Sequence, residues 1–166
     1  MNDAILVGYA TRKGSTREVA SAIAKTLRDA GSEVELRPLK EVQSLESYRS
    51  VILGAPLYMF RWHAQARRFL ARHRAALETR PVAVFALGPF HDEEKEWKEV
   101  KGQLTSELRK FPWLAPMAQA VFGGAFDPSR LGFPLSLIPA LRKMPASDIR
   151  DWKVIHDWAA SLAAKL

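Results

Sequence analysis

Ile5-Leu6-Val7-Gly8-Tyr9-Ala10-Thr11-Arg12-Lys13-Gly14-Ser15-Thr16-Arg17-Glu18-Val19-Ala20 is the stretch whose reading decides the fold of this chain. Its first half is apolar without alternation, which predicts a strand buried on both faces of a parallel sheet. Its second half opens onto a helix, with Val19, Ile23 and Leu27 at i, i+4 spacing on one face and Gly31 as the stop. Between them lies a loop of hydroxyls and glycine that has the build of a phosphate cradle. The first N–H groups of a helix have no intrahelical partners and sit at the positive end of the macrodipole, so an anion there meets donors already in place. Gly14 can take a backbone geometry that wraps an anion closely, and Thr11, Ser15 and Thr16 can each donate a hydroxyl hydrogen bond. Thr11, Arg12, Lys13, Gly14, Ser15 and Thr16 are therefore the candidate phosphate-binding residues, and no metal is required. Ser15-x-x-Glu18 is also a capping box, in which side chains satisfy the same N–H groups. The spacing from Gly8 to Gly14 fits neither G-x-x-x-x-G-K-[ST] nor G-x-G-x-x-G, so a monophosphate suits the loop better than a triphosphate or a dinucleotide.

Length and composition bound the rest. The 166 residues, 48% of them hydrophobic, suit one domain spanning 1–166 with an ample core. With no cysteine there is no disulfide, no thiol catalysis and no cysteine-ligated cluster, so redox chemistry would need a bound organic cofactor or another metal. No two histidines show helical ligand spacing, and no metal site is expected. The absence of a basic leader with an apolar core before the first strand predicts a cytoplasmic protein. No apolar run approaches the roughly 20 residues of a membrane span, leaving peripheral contact at the inner face of the cell membrane as the expected limit. A net charge of +7 suggests an anionic partner, but no nucleic-acid-binding pattern accompanies it.

Further strand-like runs at 34–36, 51–55, 82–88 and 120–126 alternate with helical patterns. Phe69, Leu70, His73 and Leu77 mark a second helix, Val100, Leu104 and Leu108 a third, and Trp152, Ile155, Ala159 and Leu162 the last. Five strands with right-handed crossovers predict an α/β, doubly wound parallel sheet of order 2-1-3-4-5 with helices on both faces. Ligands of such sheets bind beyond the carboxyl ends of the strands where the order reverses, which is where the cradle falls. Two more loops leave strand ends on that side. One carries Pro56, Leu57, Tyr58, Met59, Phe60, Arg61, Trp62 and His63, and the other Gly88, Pro89, Phe90, His91 and Asp92. Tyr58, Phe60, Trp62 and Phe90 together could sandwich a flat heteroaromatic ring, although any one of them could equally pack on the core. His63 and His91 could contact that ring or a substrate carboxylate, whereas His73 and His156 lie in helices and suit structural roles.

The hydroxyl-rich cradle and the Gly54-Ala55-Pro56-Leu57-Tyr58 turn resemble those of the flavodoxin superfamily. Within it the chain looks most like the menaquinone-dependent protoporphyrinogen oxidase branch, on Tyr9-Ala10-Thr11, Gly14-Ser15-Thr16, Ala20, Gly54-Ala55, Phe122-Gly123-Gly124-Ala125 and Asp151-Trp152. The resemblance implies a flavodoxin-like fold and a non-covalent FMN. Its phosphate would lie in 11–16, and its ring between the loops carrying Pro56, Leu57, Tyr58, Phe60, Trp62, His63 and Gly88, Pro89, Phe90. It also implies an oxidoreductase of heme biosynthesis passing electrons from a porphyrinogen through flavin to a quinone or protein acceptor. The flavin does the redox chemistry, so no catalytic acid or base is demanded of the chain.

That branch carries an insertion before the last helix, here at about 127–147. It looks shorter, and Pro134 and Pro139 argue against a single helix. Between 130 and 144, Leu131, Phe133, Leu135, Leu137 and Ile138 beside Arg130, Arg142 and Lys143 could form a membrane-surface or quinone-access patch. An ordinary lid or a dimer contact, hence a homo-oligomer, explains the segment as well. Two other functions compete with the enzyme: a soluble electron-transfer flavodoxin, and a flavodoxin fold that has lost its cofactor. A receiver-type signalling domain shares the topology, but the strand ends Tyr9-Ala10-Thr11 and Gly54-Ala55-Pro56 lack the acidic cluster it needs.

Overall fold

Alternate residues of the apolar runs serve two different cores. In the computed structural model, which describes residues 3–11, 14–58, 61–130 and 134–166, strand β1 (Ala4–Tyr9) is buried throughout. It pairs in parallel with β2 (Val34–Pro38) on one side and β3 (Tyr48–Tyr58) on the other. Beyond β3 come β5 (Val82–Leu87) and β6 (Ala118–Phe122), also parallel, so the order is β2-β1-β3-β5-β6. This is the flavodoxin-like 2-1-3-4-5 arrangement of the five parallel strands, with β4 (Arg61–Trp62) added antiparallel to the end of β3.

Ile5, Val7, Ile52 and Phe85 face a core shared with α1 (Ser15–Asp29) and α6 (Trp152–Ala163), through Val19, Ile23, Leu27, Ile155, Ala159 and Leu162. Leu6, Leu53, Val84 and Ala86 face the other, shared with α2 (Ala64–Arg72), α3 (Arg74–Leu77) and α4 (Glu94–Leu108), through Phe69, Leu70, Leu77 and Leu104. That two-sided burial is why the strands read as unbroken apolar sequence. Gly54 of β3 has no room for a side chain, because the Phe85 ring lies where its Cβ would be.

Four sequence expectations are corrected. The segment expected as a loop from Pro56 begins as strand, since β3 runs on to Tyr58 and folds back as a hairpin on which Leu57 pairs with Trp62. The second helix is two, α2 and α3, meeting at His73, whose backbone leaves helical geometry while its ring packs 4.6 Å from that of Phe69. The fifth strand stops at Phe122 rather than 126. At Gly123 the returning chain passes so close that an added Cβ would stand 2.2 Å from the Ile149 carbonyl oxygen. Trp152 lies off the buried stripe of α6 and is exposed, whereas Trp158 packs its ring against Phe85 and Phe122.

After the two glycines, β7 (Ala125–Phe126) pairs antiparallel with β8 (Ser147–Asp148), and the insertion leaves and re-enters through this short ribbon. Within it are 3-10 turns at Pro128–Arg130 and Leu135–Leu137 and a single helical turn, α5 (Pro139–Arg142). Among the described residues the insertion forms no single continuous helix, in agreement with the two prolines, and Pro139 occupies a first-turn position where its missing N–H costs nothing.

Candidate functional site

Three loops at the carboxyl ends of β1, β3 and β5 form the site. The first runs from Ala10, whose N–H still bonds the Gly54 carbonyl at 3.0 Å, to the start of α1. Gly14 stands at the helix cap with φ of 93°, a left-handed geometry that glycine takes without strain, and among the described residues no side chain caps the helix. The Gly14 N–H donates to Thr11 Oγ1 at 2.9 Å, which closes the loop. Ser15 is thus already helical and cannot act as the cap, so the capping box is not formed. The Glu18 carboxylate points elsewhere, 2.7 Å from Arg150 Nη1.

The next residue tests whether the loop suits an anion. Thr16 is fully buried, and its Oγ1 has no hydrogen-bond partner among the described residues. A buried hydroxyl left unpaired costs free energy. An uncapped helix start beside an orphaned hydroxyl, in a loop closed by Thr11, fits the phosphate of a mononucleotide. Arg12 and Lys13 lie outside the described residues.

The second loop differs from its expected form. Trp62 is 1% exposed: its indole N–H donates to the Ala55 carbonyl at 2.9 Å, and its backbone N–H donates to Glu107 Oε2 at 3.2 Å. Glu107 is itself buried on α4 and ion-paired with Lys110. Trp62 therefore belongs to the core and fastens the hairpin; it is not a ring cover. His63 caps α2, its Nδ1 accepting from the Gln65 N–H at 3.1 Å, so that ring nitrogen is committed to structure. Tyr58 is half-buried at the hairpin end, and Phe60 lies outside the described residues.

The third loop is clamped from both sides. Glu96, in the first turn of α4, accepts from the Phe90 N–H at 2.7 Å and pairs with His91 Nδ1 at 3.1 Å, while Asp92 accepts from the Trp97 indole at 2.8 Å. The Pro89 carbonyl receives the Gly124 N–H at 2.7 Å, and the Phe90 ring meets that of Phe126 edge-on at 5.7 Å. A cavity of about 450 Å³ brings Leu57, Gly88 and Phe90 together with Val100, under a charged rim of His91, Glu93, Lys95, Glu96 and Glu99. The Nδ1 of His91, expected to contact the ring or a substrate carboxylate, is engaged by Glu96.

Beside the cradle, a second cavity of about 420 Å³ lies between Ser15 and Glu18 of α1 and the β7–β8 ribbon, with Phe126, Asp127 and Arg150 in its wall. Arg150 was not foreseen. Its guanidinium grips Asp148 at two points, Nε to Oδ1 at 2.9 Å and Nη2 to Oδ2 at 2.6 Å, and lies 4.9 Å over the Trp152 ring. Those hydrogen bonds hold the Asp148 carboxyl below its ordinary range and raise the guanidinium still further. The only sequence signal for it was the alternation Asp148-x-Arg150 before the last helix.

Comparison with known proteins agrees with the fold. The model of the Flavodoxin_5 family, a flavodoxin domain, matches residues 6–141. Protoporphyrinogen IX dehydrogenase [quinone] of Escherichia coli K12 is 23% identical over 158 residues, covering 92% of this chain and 87% of that protein. Among solved structures, oxidised flavodoxin 1 from Bacillus cereus superposes with a TM-score of 0.64 at 17% identity, covering 98% of this chain and 99% of that one. A flavodoxin from the domain Archaea gives 0.60 at 12%, covering 98% and 96%.

Proposed function

The chain belongs to the flavodoxin-domain family, and we propose that within it the protein is an FMN-dependent oxidoreductase that takes electrons from a porphyrinogen-class substrate and delivers them to a quinone. FMN is the cofactor that membership assigns. The observation that carries a flavin-linked role is the uncapped start of α1 beside the buried, unpaired hydroxyl of Thr16. When bound, FMN supplies the electron transfer itself.

The chain's residues bind and orient. Thr11, Gly14, Ser15 and Thr16, with Arg12 and Lys13 in the same loop, would hold the phosphate through helix N–H groups and hydroxyls. Pro56, Leu57, Tyr58 and Phe60 on one side and Gly88, Pro89 and Phe90 on the other would flank the ring, Trp62 and His63 acting from behind by fixing the hairpin. The ties of Glu96 and Glu107 make both walls rigid, so that little ordering is left for binding to impose.

Two features support the enzyme over a diffusing carrier: similarity to the E. coli dehydrogenase along most of both chains, and the insertion. Leu137 is 65% exposed and Ile138 44%, beside exposed Arg142 and Lys143. Such a patch suits peripheral contact with an anionic membrane where quinone dissolves, basic groups adding about 1 kcal/mol each near the surface. No described helix is long and apolar enough to cross a membrane.

The electron-carrier reading draws on Glu93 and Glu99, which with Lys95 leave the rim of the ring loops net acidic and would suit a basic redox protein. The two separate in one experiment. FMN-loaded protein is mixed anaerobically with protoporphyrinogen, then with a menaquinone analogue. Loss of the oxidised-flavin absorbance and its return support the enzyme; reduction only by a redox protein supports the carrier.

A further inference from the structure

Glu18 poses a problem for any anion at the start of α1. It lies in the first turn of the helix. A free carboxylate there would repel a phosphate drawn to the helix N–H groups. Arg150 meets that charge. Its Nη1 is 2.7 Å from Glu18 Oε2 and 3.4 Å from the Ser15 carbonyl oxygen, so one guanidinium engages the side chain and the backbone of the same helical turn. The guanidinium is itself fixed, gripped by Asp148 and laid over Trp152, and its side chain is only 9% exposed. Exposed ion pairs commonly contribute little, but this one is anchored at three points and lies in the wall of the cavity beside the cradle.

We propose that Arg150 is a positioning residue for the phosphate cradle, neutralising Glu18 and holding its carboxylate away from the helix start so that its charge does not oppose the phosphate. The role rests on the FMN reading above. It also couples two distant parts of the chain: the ribbon through which the insertion re-enters supplies, via Asp148, the grip that orients Arg150.

The test is a titration of flavin fluorescence with FMN and with riboflavin, which lacks the phosphate. Arg150→Ala should weaken FMN about tenfold, equivalent to about 1.4 kcal/mol, and leave riboflavin within about twofold. Adding Glu18→Gln to that variant should restore FMN affinity to within about threefold of wild type, because the uncompensated charge is gone. Arg150→Lys, which keeps a cation beside Glu18, should bind FMN more tightly than Arg150→Ala. Equal losses for both ligands, no loss in Arg150→Ala, or no rescue by Glu18→Gln would each overturn the proposal and leave Arg150 a tie between the ribbon and α1. A wild-type protein that takes up neither ligand would instead refute the cofactor reading itself, before any variant is made.

Discussion

Replacing Thr16 by valine should strengthen the empty protein and weaken its hold on FMN. The side chain is fully buried and Oγ1 has no partner among the described residues, so the apoprotein bears a desolvation penalty of about 1–3 kcal/mol for that hydroxyl. Valine has nearly the same shape, is likewise β-branched and carries no polar atom, so recovering even about 1 kcal/mol would raise the melting temperature by about 2–4 °C for a chain of this size. With FMN the sign reverses. A hydrogen bond to a charged acceptor contributes about 1.5–3 kcal/mol, so its loss should raise the FMN dissociation constant roughly 10- to 150-fold. Riboflavin should bind as before. Thr16→Ser keeps the hydroxyl and removes a methyl group, and should do the opposite: FMN nearly retained, stability reduced. Thermal denaturation of the apoprotein and fluorescence titration with both flavins measure these quantities for each variant. A Thr16→Val protein that melts lower than wild type and binds FMN unchanged would refute the assignment of the orphaned hydroxyl to the phosphate.

Gly123→Ala should destabilise the protein by about 1–3 kcal/mol in urea denaturation, since the new Cβ would stand 2.2 Å from a backbone carbonyl oxygen that has no flexible side chain to yield. The Tyr48 hydroxyl donates to Glu35 Oε2 at 2.5 Å, and burial first, then that bond, pushes the phenol up to about 12 from its ordinary 10. Its contribution is therefore complete below pH 10 and lost as pH rises towards 12, and Tyr48→Phe should abolish that alkaline loss of stability. Glu35, held below its ordinary range chiefly by the same hydroxyl, contributes above its unfolded value and loses that contribution in acid, so Tyr48→Phe should also flatten the acid limb. Sedimentation with anionic and neutral vesicles at low and high salt checks the insertion: salt-sensitive binding to anionic vesicles is expected, and Leu137→Ser with Ile138→Ser should remove it.

The sheet was legible because its strands are buried on both faces and so lack polar punctuation; Ile5 and Leu6 serve opposite cores yet look alike in sequence. The cradle was legible because strand, loop and helix start are consecutive. What could not be read depends on partners remote in the chain. Trp62 looks like a loop aromatic until Ala55 and Glu107, the latter 45 residues on, take its two N–H groups. Glu18 looks like a capping residue until Arg150, 132 residues away, claims its carboxylate. The end of the fifth strand was misplaced for the same reason, because Gly123-Gly124 read as part of an apolar run while the passing of Ile149 is invisible from there.

The β7–β8 ribbon makes the insertion a replaceable module. Ala125 pairs with Asp148 and Phe126 with Ser147, so the two ends of the excursion are already side by side before the intervening residues are specified. Closing a loop whose ends are fixed depends weakly on its length, about 0.6 kcal/mol for each doubling, so segments of quite different size can be spliced between Asp127 and Ala146 without disturbing sheet or cradle. Related chains could thus differ in the length and surface of this one cassette, and an engineer could graft a longer, shorter or polar excursion there while keeping the same scaffold.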